Sequence, residues 1–538
     1  MRRGGLNGRT AVEAGMRYLV LYFSGERVEK KACRGLVRRV TAGYNPRKGS
    51  DMIETDRRAF MKSAFFTGAA VAAAGCMSAR GGRTAASGAP MHAFRDKPMK
   101  GVRVGIIGIG CRGRDGVHRL SGIPGVTITA VCDVKQVRLD MAREFLVKKG
   151  RGAPREFTGS DEAYRALCDW DGVDVVYITA PWQLHVPMGL AALNAGKYAF
   201  IEVPSALTVD DCWALVEASE RNRRPCMMLE NCCYGEPEML ALSLVKQGIL
   251  GEILHGEGGY NHDLRSWCYN DLDATRPFHD AYWNHWRLRY NAEHDGNQYP
   301  THGFGPICQC MDINRGDKLD YLVSLSSKSY NYERYAKEKY GADHWKGRLK
   351  VKMGDVNTTL IKTALGRSIQ IRHNVATPQR GYRYESITGS NGIWCGFPDR
   401  LYFQGHGAPE TEHEDFFDAA TYDRMRRKYM HPMWKVAGEI AKKVGGHGGM
   451  DFIMDLRWAY CLQAGIPLDF DVYDLASWCS VCELSERSCD AGSRPMEIPD
   501  FTRGAWKTNP ASPLATIDPK RMGLDIDAFG RNDAQLNI

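Results

Sequence analysis

Three glycines, Gly108, Gly110 and Gly113, stand in Gly-x-Gly-x-x-Gly spacing, and an acid, Asp133, follows 20 residues after the last of them. Such a set binds a dinucleotide when it joins a strand to a helix. The first glycine permits a tight turn, the second lets backbone amides approach a pyrophosphate, and the third brings helix against strand. The helix N-terminus then faces the negative charge. The Asp133 carboxylate can accept hydrogen bonds from both ribose hydroxyls and would repel a 2′-phosphate, which favours NAD over NADP. A second pair, Tyr299 and His302, has i, i+3 spacing. Side chains so spaced share one face of a helical turn and can reach one ligand, although Pro300 suits a turn as readily as a helix. An imidazole, with an ordinary pKa of about 6.5, is a suitable acid–base catalyst near neutrality.

The flanking sequence supplies the elements these residues need. A β-rich run at 102–107 precedes the glycines, 114–120 reads as helix, and a second strand at 126–131 ends at Cys132-Asp133. Alternation continues with a helix near 161–168, a strand at 173–179, a helix at 186–194, a strand at 198–202, a helix at 210–221 and a strand at 226–229. The pattern predicts an α/β chain whose N-terminal half is a doubly wound parallel Rossmann sheet. Ligands of open α/β sheets gather beyond the strand ends, so Trp182–His185 and Glu202 are expected beside the nicotinamide. For His185, capping the helix is the competing role.

The chain has 538 residues, 43% apolar and 25% charged, ordinary values for a globular protein of two or three domains. No stretch of 18 apolar residues appears, so no membrane-spanning helix is expected. The formal charge of +9 belongs to the leader. Residues 1–50 hold 12 Lys+Arg and 3 Asp+Glu, and the remaining 488 residues carry 60 of each sign. Nucleic-acid grooves concentrate Lys and Arg on the folded body, so no nucleic-acid partner is expected. Seventeen cysteines are too few for a disulfide scaffold and lack zinc spacing, so no metal is expected. Cys479 and Cys482, Cys232–Cys233 and Cys308/Cys310 read as buried free thiols.

From Met52 the sequence runs through Arg57-Arg58 and Phe60 to a short apolar run at 64–74 and then Gly75-Cys76. This matches a twin-arginine export signal, and the run is too short to span a bilayer. The expectation is that translation begins at Met52, with 1–51 an upstream extension and 52–76 the signal. The product would be exported, periplasmic or a membrane-anchored lipoprotein held through Cys76, with 77–99 a linker.

Further stretches carry a resemblance: Glu202-Val-Pro-Ser-Ala-Leu-Thr-Val, Met227-Met-Leu-Glu-Asn231, Trp286-Arg287-Leu-Arg, Gly296-Asn-Gln-Tyr299-Pro-Thr-His302-Gly-Phe-Gly-Pro, Gly445-Gly-His447-Gly-Gly-Met-Asp-Phe and Asp500-Phe-Thr-Arg-Gly-Ala-Trp506. From about 100 to 508 the chain resembles glycoside hydrolase family 109, the NAD-dependent α-N-acetylgalactosaminidases within the Gfo/Idh/MocA oxidoreductases. The resemblance implies a Rossmann domain at 100–230 and a substrate-binding α/β domain on an open mixed sheet at 231–510, before a tail at 511–538. It places NAD contacts on Cys111, Arg112, Asp133, Trp182, Gln183, Leu184, His185, Glu202, Val203, Asn231, Tyr299, Pro300, Thr301 and His302. It places substrate contacts on Tyr260, Arg287, Tyr299 and a tyrosine near 382. That last position departs from the family's Pro-Arg-Pro-Tyr-Ser-Arg, because Pro378-Gln-Arg-Gly-Tyr382-Arg displaces the tyrosine by one. His447, among four glycines, suits a close approach to the site or a structural turn.

Sugar dehydrogenases of the superfamily carry Glu-Lys-Pro, and here Glu202-Val203-Pro204 lacks the ammonium group. The chemistry the resemblance implies is oxidation of the sugar at C3, loss of the C2 proton, elimination of the glycosidic oxygen, water addition and re-reduction. His302 would be the C2 base, with Tyr299 assisting and Arg287 and Tyr260 holding the sugar. A glycan or glycoconjugate is the expected partner, and a lipid anchor and a homo-oligomer are left open. Two other readings are an NAD-dependent sugar or inositol dehydrogenase and a non-catalytic carbohydrate-binding protein that retains NAD. In the C-terminal half, strands are expected at 256–261, 321–327, 358–363, 368–373 and 384–389. Helices are expected at 421–428, 432–443, 450–464 and 472–487. The aromatic cluster 282–290 reads as core or as a sugar platform.

Overall fold

A computed structural model describes residues 88–272, 281–410 and 415–524. The twin-arginine segment, Cys76 and the first part of the expected linker lie outside the described residues. The N-terminal half alternates β1 (Val102–Ile107), α1 (Cys111–Leu120), β2 (Val126–Cys132), α2 (Gln136–Lys148), β3 (Arg155–Phe157), α3 (Ala163–Asp169), β4 (Val175–Ile178), α4 (Trp182–Asn194), β5 (Tyr198–Ile201), α5 (Val209–Asn222) and β6 (Cys226–Met228). The six strands lie parallel in the order β3-β2-β1-β4-β5-β6. Every residue of β4 and β5 is buried, as helices on both faces require. The strand order reverses between β1 and β4, which opens a crevice at their carboxyl ends.

The second half contributes α6 (Glu236–Lys246), β7 (Ile253–Asn261), α7 (Trp286–Glu293), α8 (Thr301–Cys310), β8 (Leu319–Ser326), α9 (Asn331–Tyr340), β9 (Asn357–Thr363), β10 (Ser368–Asn374), β11 (Ser386–Gly389), β12 (Gly392–Gly396) and β13 (Asp399–Phe403). After these come α10 (Ala419–Tyr429), α11 (Pro432–Val444), α12 (Met450–Ala464), α13 (Val472–Cys479), α14 (Val481–Asp490) and β14 (Met496–Glu497). The sheet order is β13-β12-β11-β7-β10-β9-β8-β14, with β7 and β10 parallel and the other pairs antiparallel. Helix α8 lies on β7 glycine to glycine. A Cβ added at Gly258 would stand 2.1 Å from the Gly303 carbonyl oxygen, and one at Gly303 would stand 2.0 Å from the Gly259 amide nitrogen. Only residues without side chains let helix and strand approach so closely.

Several expectations are corrected. The span 472–487 is two helices parted at Ser480. The strand expected from 384 starts at Ser386, because Tyr384 has φ +54°. Residues 88–99 are not a loose linker. Met91 is buried, its amide donates to the Tyr473 hydroxyl at 3.1 Å, and the Met99 amide donates to the Leu462 carbonyl at 3.0 Å. The tail is also packed as far as the structure describes it, with Ile517, Met522 and Leu524 in the core. The cysteines read as buried thiols are all free and buried.

Candidate active site

One cavity of about 720 Å³ opens at the carboxyl ends of β1, β2 and β4 and reaches β7 and α8. Its walls include Gly108, Gly110, Cys111, Arg112, Asp133, Trp182, Leu184, His185, Glu202, Val203, Asn231, Tyr260, Arg287, Tyr299, His302 and His447. The glycines make one end of it. A Cβ at Gly108 would meet the Ala180 amide nitrogen at 2.9 Å, and one at Gly113 would meet the Gly108 carbonyl oxygen at 2.0 Å, whereas one at Gly110 would meet nothing within 4 Å. Gly110 therefore faces open space directly before α1, whose N-terminus has no side-chain cap. This cradle fits a pyrophosphate. Asp133 accepts the Ile109 and Lys135 amides at 2.8 Å each, which ties the end of β2 to the glycine turn.

Not every residue of the sequence reading lies on the wall. Gly113 packs helix against strand behind it, Gln183 is exposed on α4, and Pro300 and Thr301 are in the turn that starts α8. Tyr382 is not on the wall either; its backbone pairs with Asn261. Helix α4 begins at Trp182 rather than Val186, so Trp182–His185 form its first turn. His185 is buried, with Nδ1 and Nε2 each 2.8 Å from a carbonyl oxygen, those of Pro204 and Ala180. It bridges two loops at the cavity floor.

At the other end, aromatic rings enclose a guanidinium. The Tyr260 and Tyr299 ring centroids are 4.3 Å apart, Tyr299 and His302 4.9 Å, and Trp182 and Tyr299 5.4 Å. The Arg287 guanidinium lies 4.6 Å from the Trp182 ring and 5.2 Å from that of Tyr299, and its Nη1 donates to the Tyr282 hydroxyl at 3.0 Å. Burial pushes the Tyr299 phenol well above its usual range and raises that of Tyr260, so both are neutral proton donors. Of the aromatic cluster, Tyr282, Trp283 and Trp286 line the cavity, and Tyr290 packs edge-on against Trp182.

Two acids missed at the sequence level organise the site. Glu230, fully buried at the end of β6, accepts His302 Nδ1 at 2.7 Å and the Cys232 amide at 3.0 Å. Burial raises its carboxyl, but the His302 imidazole and these hydrogen bonds outweigh that and hold it below the ordinary range. The carboxylate accepts only, so His302 carries its proton on Nδ1 and leaves Nε2 for a ligand. Asp451, at the start of α12, accepts Arg112 at 3.0 Å, His447 Nδ1 at 3.0 Å and the Asn231 amide group. Arg112 also grips Glu202 at 2.8 Å. Glu230, Cys232 and His302 place three ligand-type atoms within 4.8 Å of one another, and the Glu230–His302 hydrogen bond accounts for that cluster.

Residues 102–230 match the family described as the oxidoreductase family with an NAD-binding Rossmann fold, and residues 234–508 match the glycosyl hydrolase 109 C-terminal domain. A glycosyl hydrolase family 109 protein of Shewanella sp. (strain ANA-3) is 44% identical over 465 residues, 86% of this chain and 99% of that protein. One from Shewanella baltica (strain OS185) is 45% identical over 420 residues, 78% of this chain and 88% of that protein. Among solved structures, a levoglucosan dehydrogenase in complex with NADH and L-sorbose aligns with TM-score 0.54 at 17% identity, covering 75% of this chain and all of that one. An oxidoreductase domain protein from Kribbella flavida aligns with TM-score 0.55 at 18% identity, covering 74% and 100%. At these identities the solved structures establish the fold alone. The cofactor is NAD. The chain belongs to glycosyl hydrolase family 109, and it is a glycosidase built on the NAD-binding framework of the Gfo/Idh/MocA oxidoreductases.

Proposed function

We propose that the enzyme removes terminal α-linked N-acetylgalactosamine from glycans by transient oxidation of the sugar. The observation that carries this reading is the Glu230–His302 pair, whose histidine faces the same cavity as the glycine cradle while the acid is buried behind it. When bound, NAD would supply a reversible hydride acceptor for the C3 carbinol, whose hydroxyl proton would pass to solvent and come back on re-reduction, so that water is the only co-substrate consumed. A carbonyl at C3 acidifies the proton on C2, and His302 Nε2 takes that proton because Nδ1 is committed to Glu230. The C1–oxygen bond then breaks by elimination, and the Tyr299 hydroxyl donates a proton to the departing oxygen. Water adds across the C1–C2 double bond, its hydroxyl going to C1 and its proton restoring Tyr299 while His302 returns the proton to C2; return of the hydride to C3 would restore the carbinol, and the net change is hydrolysis. Arg287 and Tyr260 hold the ring and its acetamido group against the aromatic wall.

A free-standing sugar dehydrogenase is the rival reading; it shares the C3 oxidation, with Val203 at the cavity wall in either case, and differs in leaving the C1–oxygen bond intact. Incubation with an aryl α-N-acetylgalactosaminide and no added nucleotide separates the two. Release of the aryl group with solvent deuterium at C2 of the freed sugar is expected. Net NADH accumulation without cleavage overturns the proposal. Export through the Arg57-Arg58 signal accords with a cofactor that is recycled in place and needs no cytoplasmic partner; a cell fractionation that retains the protein in the cytoplasm would refute it.

A further inference from the structure

Tyr260, near the end of strand β7, and His262, just past that end, point to one side, as residues two apart in an extended chain must. Their ring centroids are 4.5 Å apart, and both line the cavity. Asn261 points the other way and is fully buried. Tyr382 pairs antiparallel with Asn261: its amide donates to the Asn261 carbonyl at 3.0 Å, and the Asn261 amide donates to the Tyr382 carbonyl at 3.2 Å. Directly opposed residues share a face, so Tyr382 is turned away from the cavity with Asn261. The neighbouring Gly381 is the residue that meets the cavity face. A Cβ there would stand 2.5 Å from His262 Cε1 and 2.7 Å from Nδ1. Shifting one residue along a strand moves a side chain to the opposite face, so the displaced tyrosine of the sequence is a change of wall.

We propose that His262, seated against Gly381, supplies the sugar contact on this wall and is a specificity-determining residue in place of Tyr382. The proposal rests on the carbohydrate reading above. Among the described residues the His262 ring has no hydrogen-bond partner. Burial, together with the facing His302, Arg287, Arg383 and His447, pushes its pKa down to about 4, so near neutrality the ring offers one donor and one acceptor. A sugar hydroxyl, which both donates and accepts, complements that pair. Gly381 has no left-handed backbone angle, so a larger residue is excluded there by the His262 ring rather than by the main chain.

The test is calorimetric titration of the NAD-loaded protein with free galactose, glucose, N-acetylgalactosamine and N-acetylglucosamine, carrying the best-bound sugar through the variants. His262→Ala is expected to weaken binding by about tenfold or more, the worth of a lost buried hydrogen bond. Retained NAD and an unchanged melting temperature show that the variant is folded. Tyr382→Phe is expected to weaken it far less, and the double variant His262→Ala/Gly381→Tyr to recover most of the loss. Undiminished binding by His262→Ala, or a larger loss in Tyr382→Phe, overturns the assignment. If the wild type prefers a sugar other than N-acetylgalactosamine, the substrate reading falls while the variants still decide the wall. If it binds none of the four, both fall.

Discussion

Glu230 Oε1 and His302 Nδ1 are 2.7 Å apart, with the acid fully buried. Removing the carboxylate leaves Nδ1 without its acceptor and the imidazole free to take the other tautomer. Glu230→Gln is therefore expected to lower kcat by about 10²-fold while KM changes little. The variant should keep its NAD and its melting temperature, which loss of packing would not allow. Steady-state kinetics beside a thermal melt is the measurement, and an unchanged kcat contradicts the role.

His302→Ala removes the base itself and should cost at least about 3 kcal/mol of transition-state stabilisation, with NAD still bound because the glycine cradle is untouched. Near-normal turnover by that variant would unseat His302 as the proton acceptor.

Gly303 shares the closest helix–strand contact in the site, with its would-be Cβ 2.0 Å from the Gly259 amide nitrogen. Backbone on both sides cannot give way locally, so Gly303→Ala must push α8 off β7. We expect a loss of about 1–3 kcal/mol of stability together with loss of activity, since His302 and Tyr260 sit on the two separated elements. A thermal melt and an aryl-glycoside assay on the same preparation check both.

What the sequence made legible was the chemistry that depends on local spacing. Gly108 to Gly113 work through the backbone of one turn, and Tyr299 and His302 through one helical turn, so both sets stand together where the spacing puts them. Contacts made across the fold were not legible. Glu230 lies 72 residues from His302, and Asp451 lies 220 and 339 residues from Asn231 and Arg112, and neither stands in a pattern that marks a carboxylate as buried. Helix α2 was not anticipated because Val137, Met141 and Val147 are exposed on its outer face and blur the apolar period. The tail reads as polar, yet its few apolar residues are the ones that reach the core.

Arg287 is nearly fully buried with its guanidinium across the Trp182 and Tyr299 rings. A planar cation stacks on rings and forks to ligands, and an ammonium does neither. Arg287→Lys keeps the charge and should raise KM for the aryl glycoside by about tenfold or more, with kcat less affected. Unchanged KM would show that the guanidinium plane has no part in holding the sugar.

Asp451 joins the Rossmann helix α1 to α12 through Arg112 at 3.0 Å and Arg119 at 3.4 Å. Burial raises its carboxyl, but the two guanidiniums and His447 outweigh this and hold it well below 3.8. A depressed folded pKa contributes stability that is complete above the unfolded value near 3.8 and is lost as pH falls through the folded one. Asp451→Asn should therefore be less stable than wild type by about 3–5 kcal/mol at neutral pH, because two buried cations lose their counter-charge. That gap should close only below about pH 3.8, where the Asp451 carboxylate begins to take up a proton in the unfolded chain. Urea unfolding midpoints of both proteins from pH 7 down to 3 give the comparison. A gap that narrows already between pH 7 and 5 would contradict the assignment of the titrating group to Asp451.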